Sequence, residues 1–155
     1  MHRIEVFFRE EKNDAESISV KKEIESELGI KTESVKIVHC YYINAELSEE
    51  EAKTAAEKLF CDPIVQNYSV DSDSGIKADF MVEIKFLPGV TDNEGNAAMI
   101  GVKDLLKREF REKENIRTSK KYFFSGNLKE KEIERICREM LANQVVESYE
   151  IKKLD

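Results

Sequence analysis

The chain has 155 residues, room for one domain or two very small ones. Its 25 basic and 32 acidic residues leave a formal charge of −7, which argues against nucleic acid as the main partner, because affinity there comes mostly from cations placed on phosphates. Hydrophobic residues make up 41%, with 8 Phe and 5 Tyr; that suffices for a core, so the charged fraction of 37% reads as solvated helix faces, not disorder.

In chain order, Met1-His2-Arg3-Ile4-Glu5 lacks the apolar stretch and small-residue cleavage site of a signal peptide. Ile4, Val6 and Phe8 alternate with other residues, the period-two signature of a strand, and Val20, Ile24 and Leu28 recur at helical spacing. A second strand is expected through Val35, Tyr41, Tyr42 and Ile43. Ser48-Glu49-Glu50-Glu51 has the form of a capping box, in which the Ser oxygen takes a free N–H and Glu51 reaches back. It opens a helix with apolar residues at 52, 55, 56, 59 and 60 on one stripe. Pro63 is expected to stop that helix and start a last strand through Ile64–Val70. Asp71-Ser72-Asp73-Ser74-Gly75 is a short polar connector.

After the connector the pattern starts again. Met81-Val82-Glu83-Ile84-Lys85-Phe86 matches the first strand, with Glu83 at an offset of 78 (83 − 5) from Glu5. Val102, Leu106 and Phe110 are aligned with Val20, Ile24 and Leu28 at 82. Ile116, Tyr122, Phe123 and Phe124 match the second strand at 81, Ile133, Ile136, Cys137, Met140 and Leu141 the second helix at 81, and Val145–Ile151 the last strand at 81. Two strand–helix–strand–helix–strand units are expected: residues 1–71, a connector 72–79, and residues 80–155. A unit this small has a thin core, so the two are expected to share one sheet and form one compact domain. The fold class is α+β, a pseudo-two-fold domain with a six-stranded sheet and all four helices on one face. The other face would carry Val38, Cys40, Tyr42 and Phe123, an unusually apolar set for solvent. That makes it a candidate interface, buried by self-association when the domain is isolated.

Catalytic chemistry finds little footing. His39 and Cys40 are neighbours on a strand, so their side chains diverge, and no Gly-rich elbow surrounds Cys40, Cys61 or Cys137. Three cysteines without a CxxC spell no disulfide framework, which fits a reduced, cytoplasmic protein. With two histidines they match no metal-ligand spacing, and no apolar run approaches the roughly 18 residues of a membrane span. No catalytic, metal or cofactor-binding residue is assigned. The loop Leu87–Ala98 stands apart. On the alignment above it is four residues longer than its counterpart (82 − 78) and leads into a helix N-terminus. Pro88, Gly89, Val90, Thr91, Asp92, Asn93 and Gly95 suit either a structural turn or a docking loop.

The ending Met140-Leu141-Ala142-Asn143-Gln144-Val145-Val146-Glu147-Ser148-Tyr149 resembles the Leu-Leu-Ala-Asn-x-Val-Ile-Glu-x-Tyr pattern of PurS, the small subunit of phosphoribosylformylglycinamidine synthase, with a weaker copy at Leu59–Tyr68. Pro88-Gly89-Val90-Thr91-Asp92-Asn93-Glu94-Gly95 resembles a stretch near the N-terminus of long bacterial synthases that carry two PurS-like units. The resemblance covers essentially the whole chain. It implies a unit that dimerises through its sheet, mimicked here within one chain, and a noncatalytic role in assembling synthetase and glutaminase domains so that ammonia passes between them. The parent enzyme would use ATP, Mg and glutamine to turn formylglycinamide ribonucleotide into its amidine. Its Cys–His–Glu triad and ATP-binding domains lie in segments absent from this sequence, so the chain alone is expected to be inactive, and to be either a fragment of a longer enzyme or an isolated subunit with a duplicated unit. The rival expectation is a paired small-molecule-binding regulatory module, with the Pro88–Gly95 loop as its ligand site.

Overall fold

The computed structural model describes residues 1–155. The elements are β1 (His2–Phe8), α1 (Ala15–Leu28), β2 (Ser34–Asn44), α2 (Glu49–Ala55), β3 (Gln66–Val70), β4 (Phe80–Phe86), α3 (Asn93–Leu106), β5 (Asn115–Ser125), α4 (Glu130–Ile136) and β6 (Glu147–Lys153). The strands form a six-stranded antiparallel sheet in the order β3-β1-β2-β5-β4-β6. Both short helices widen into a π turn at their ends, Ala56–Phe60 and Cys137–Leu141, where Cys61 N–H and Ala142 N–H donate to the carbonyls of Ala56 and Cys137. The Ser48 capping box is present: Ser48 Oγ accepts from Glu51 N–H at 3.0 Å and Ser48 N–H donates to Glu51 Oε1 at 2.9 Å. At α4 only half of it survives. The Lys129 side chain has no oxygen to offer, but the Lys129 N–H donates to Glu132 Oε1 at 2.9 Å.

The repeat is present, with one correction to its register. Helices α1 and α3 are both 14 residues long, and their N-caps Asp14 and Asp92 lie 78 apart (92 − 14). Ile24 therefore corresponds to Val102, both fully buried, and the helix offset is 78, not 82. Sliding a helix by four residues returns nearly the same apolar stripe, because four residues are close to one turn. The extra length lies after α3: Lys107–Glu114 precedes β5, whereas Gly29–Glu33 precedes β2. The loop before α3 is no longer than the loop before α1. Pro63 ends the second helix as expected, but the chain turns through 63–65 and β3 starts only at Gln66.

Packing divides the chain into two units that are not the two sequence halves. Unit 1 comprises Met1–Arg9, His39–Ser74 and Thr91–Ser119; unit 2 comprises Glu10–Val38, Gly75–Val90 and Lys120–Asp155. Helix α1, from the first half, belongs to unit 2, and α3, from the second half, to unit 1. Strands β2 and β5 each contribute one end to each unit. Eleven residues at about 3.3 Å apiece span roughly 36 Å, about twice a common strand.

Each unit has its own core. In unit 1, antiparallel pairing sets Ile4 opposite Tyr41 and Val70, and Val6 opposite Tyr68. These pack with Ile43, Ile116, Ala55, Ala56, Ala98 and Val102. Tyr41 stacks on Phe60 with ring centroids 4.2 Å apart. In unit 2, Val82 pairs with Ile151 and Ile84 with Tyr149, and the cluster adds Ile24, Ile30, Val35, Ile37, Phe80, Phe124, Ile133 and Ile136. Both cores follow the strict alternation of their strands and so use one face of each strand.

Candidate docking site

The Pro88–Gly95 loop carries the chain from β4 in unit 2 to α3 in unit 1. Its first part is a tight turn in which Val90 N–H donates to the Leu87 carbonyl at 3.1 Å. Pro88 presets the second position, and Gly89 takes φ +85° at the third, the left-handed geometry that a type II turn demands there. Leu87 N–H donates to the Val146 carbonyl at 2.8 Å, which fixes the turn to the residue just before β6.

The second part looks inward. Asp92 is 3% exposed; one carboxylate oxygen accepts from Gly95 N–H at 2.8 Å, and the other from Thr118 N–H on β5 at 2.6 Å, with Thr118 Oγ1 close to both. One side chain thus caps α3 and ties it to β5. The first half solves the same problem with an intermediary. Asp14 accepts from the N–H and the hydroxyl of Ser17, and Ser17 Oγ in turn accepts from Ile37 N–H at 3.1 Å. Gly95 stands where Ser17 would be, and a Cβ on it would collide with the Ile116 carbonyl oxygen. The glycine lets α3 approach β5 closely enough for Asp92 to bond the strand directly. Pro88, Gly89, Thr91, Asn93 and Glu94 stay exposed, and Val90 is half-buried. Glu94 accepts from Tyr41 O–H at 3.4 Å; burial, with the Glu94 charge behind it, pushes the Tyr41 hydroxyl up to about 12. Of the residues assigned to this loop from sequence, Asp92 and Gly95 are structural anchors, and Pro88, Gly89, Thr91 and Asn93 are open to contact.

The second candidate surface does not have the exposure expected of it. Val38, Cys40 and Phe123 are buried at 0, 1 and 8% exposure, and Tyr42 is half-buried. Val38, Cys40 and Phe123 belong to neither core cluster, as expected of the opposite sheet face, yet the single chain already covers them. The most exposed large apolar side chains lie elsewhere: Ile64 and Val145, at 81 and 82%. They occupy matching turns before β3 and β6. Asp62 Oδ1 accepts from Ile64 N–H and Gln66 Oε1 from Asp62 N–H; Asn143 Oδ1 accepts from Val145 N–H and Glu147 Oε1 from Asn143 N–H. The sequence signal for these turns was the Asx residue four before Gln66 and Glu147, hidden because Ile64 and Val145 read as strand.

Two of the three cysteines offer no activated thiol. Burial pushes the Cys137 thiol up to about 12, with Glu134 adding to it, and burial raises Cys61 as well, against the opposing charge of Arg9. A neutral thiol is a poor nucleophile near neutral pH.

A family model described as PurS, phosphoribosylformylglycinamidine (FGAM) synthase, matches residues 1–74 and, separately, residues 79–155. The chain belongs to the PurS family. Nearly every residue falls in one copy or the other, so this PurS chain is a tandem duplication. It is a subunit or domain of FGAM synthase in purine biosynthesis and associates with other components of that ligase. The two turns just described account for the Asn143 and Glu147 positions of the ending that resembles PurS. No curated protein matches the chain, and no helix is long and apolar enough to cross a membrane.

Proposed function

We propose that this chain is the noncatalytic assembly domain of a long FGAM synthase, coupling a glutaminase to the synthetase that receives its ammonia. The observation that carries this reading is the double family match on a chain whose two cores each draw on both copies. Such a chain presents two PurS-like units as one covalent body. The side chains support scaffolding over chemistry, because the one buried carboxylate of the Pro88–Gly95 segment, Asp92, is spent on capping and tethering. The exposed residues Pro88, Gly89, Thr91 and Asn93 would contact the synthetase or glutaminase part. ATP, Mg and glutamine would be handled by those parts, and the chain alone would turn over none of them.

The test separates coupling from chemistry. FGAM formation by the catalytic components is measured with and without this chain, once with glutamine and once with an ammonium salt as nitrogen donor. A coupling domain raises the glutamine-dependent rate and leaves the ammonium-dependent rate unchanged. Turnover of glutamine or ATP by the chain alone, or no effect on the glutamine-dependent rate, overturns the proposal.

A further inference from the structure

His2 lies at the start of β1 in unit 1, and its ring is held at both nitrogens. Nδ1 is 2.7 Å from Asp71 Oδ2 and Nε2 is 2.7 Å from the Leu47 carbonyl oxygen. Both partners only accept hydrogen bonds. A neutral imidazole has one N–H to give and an imidazolium has two, so this geometry is satisfied in full only by the protonated ring. We propose that His2 is a proton-operated clamp: charged, it fastens the β2–α2 loop at Leu47 to the first residue after β3; neutral, it lets Leu47 go.

The surroundings favour the charged form. The side chain of His2 is 14% exposed. That burial alone would lower its pKa, but the hydrogen bonds to Asp71 and to the Leu47 carbonyl outweigh it and raise the pKa above 6.5. Asp71 is held in its charged form despite burial by Arg3 N–H and by His2 itself. The amino group of Met1 opposes the imidazolium charge. The other carboxylates of the two clamped segments are engaged elsewhere, Asp73 by Arg3 at 3.0 Å and Glu46 by Arg111 at 3.2 Å. On losing its proton the ring keeps one donor. The charge-assisted bond to Asp71 is the stronger of the two, and Asp71 is also tied to Arg3 through both backbone groups, so the Leu47 carbonyl is the partner released. Leu47 is buried in the unit 1 core and precedes the Ser48 cap of α2, so the release loosens the entry to that helix.

Because the folded pKa is raised, the clamp is fully closed below about pH 6.5 and opens as pH climbs through the folded value. The experiment is a wild-type NMR titration of the His2 ring, read beside amide exchange of residues 45–51. The expected result is a midpoint above 6.5 and, with the intrinsic base-catalysed rise in exchange divided out, lower protection of those amides at the alkaline end. In His2→Gln, exchange in the same segment should lose its step over that pH range. A His2 midpoint at or below 6.5, or an unchanged exchange step in His2→Gln, overturns the proposal. The wild-type midpoint decides it even if the variant folds poorly.

Discussion

Ile24→Ala tests whether the cores belong to the units or to the sequence halves. Ile24 lies on α1 in the first half and is fully buried, packed in a cluster that contains Phe80, Val82, Ile84, Ile133 and Ile136 of the second half. Truncation removes three carbons, about 2.4 kcal/mol of transfer energy at about 0.8 kcal/mol per buried CH₂. The cavity left behind adds to that, for a loss of about 3–4 kcal/mol, within the roughly 2–5 kcal/mol seen for such changes. Native-state hydrogen exchange is the assay, because it reports where stability is lost as well as how much. Loss of protection should concentrate in β4, β6 and α4, far along the chain from residue 24, while β1 and β3 keep theirs. Val102→Ala, on the matching turn of α3 and buried with Ile4, Val6 and Ile43, should do the reverse at about 2 kcal/mol. Protection lost in β1 and β3 on Ile24→Ala, or lost equally in both units, would refute the reasoning.

Four further outcomes are expected. Residues 1–71 and 80–155 made as separate chains each lack part of both cores, so neither should unfold cooperatively as a monomer, and mixing should restore a single transition by circular dichroism; a half that melts cooperatively alone would contradict the exchange of α1 and α3. Asp92→Ala removes a cap worth about 1 kcal/mol and leaves the buried Thr118 N–H unpaired at about 1–3 kcal/mol, so denaturant unfolding should show a loss of about 2–4 kcal/mol. Asn93→Ala, exposed beside it, should cost under about 0.5 kcal/mol. Phe123→Lys places a charge at a buried position and should lower Tm sharply, whereas a sharp change in oligomeric state at unchanged Tm would restore the exposed-face assignment.

Much of this protein was legible in its residues. Alternation along β1 and β4, the Ser48 capping box, the Pro63 stop and the offset of 81 between the β2 and β5 regions all rest on interactions over a few residues. They therefore appear as written. The double PurS match follows from the same repetition. The site was half legible: Pro88 and Gly89 declare a turn, because few residues satisfy that geometry, but nothing in the sequence separates Asp92 as an anchor from Asn93 as a surface residue. That distinction depends on Thr118, 26 positions away (118 − 92).

What sequence alone determined is the set of elements, their order and the fact of duplication, since each is encoded in local periods and caps. What the tertiary structure decided is partnership. An apolar stripe on α1 is satisfied equally by the strands of either half, and it is equally well matched after a slip of one turn. The choice of unit 2, and of an offset of 78, therefore waited on the Asp14–Ser17–Ile37 and Asp92–Thr118 tethers. The burial of Val38, Cys40 and Phe123 is likewise a property of assembled strands, because a strand's period says which residues share a face but not whether that face meets water.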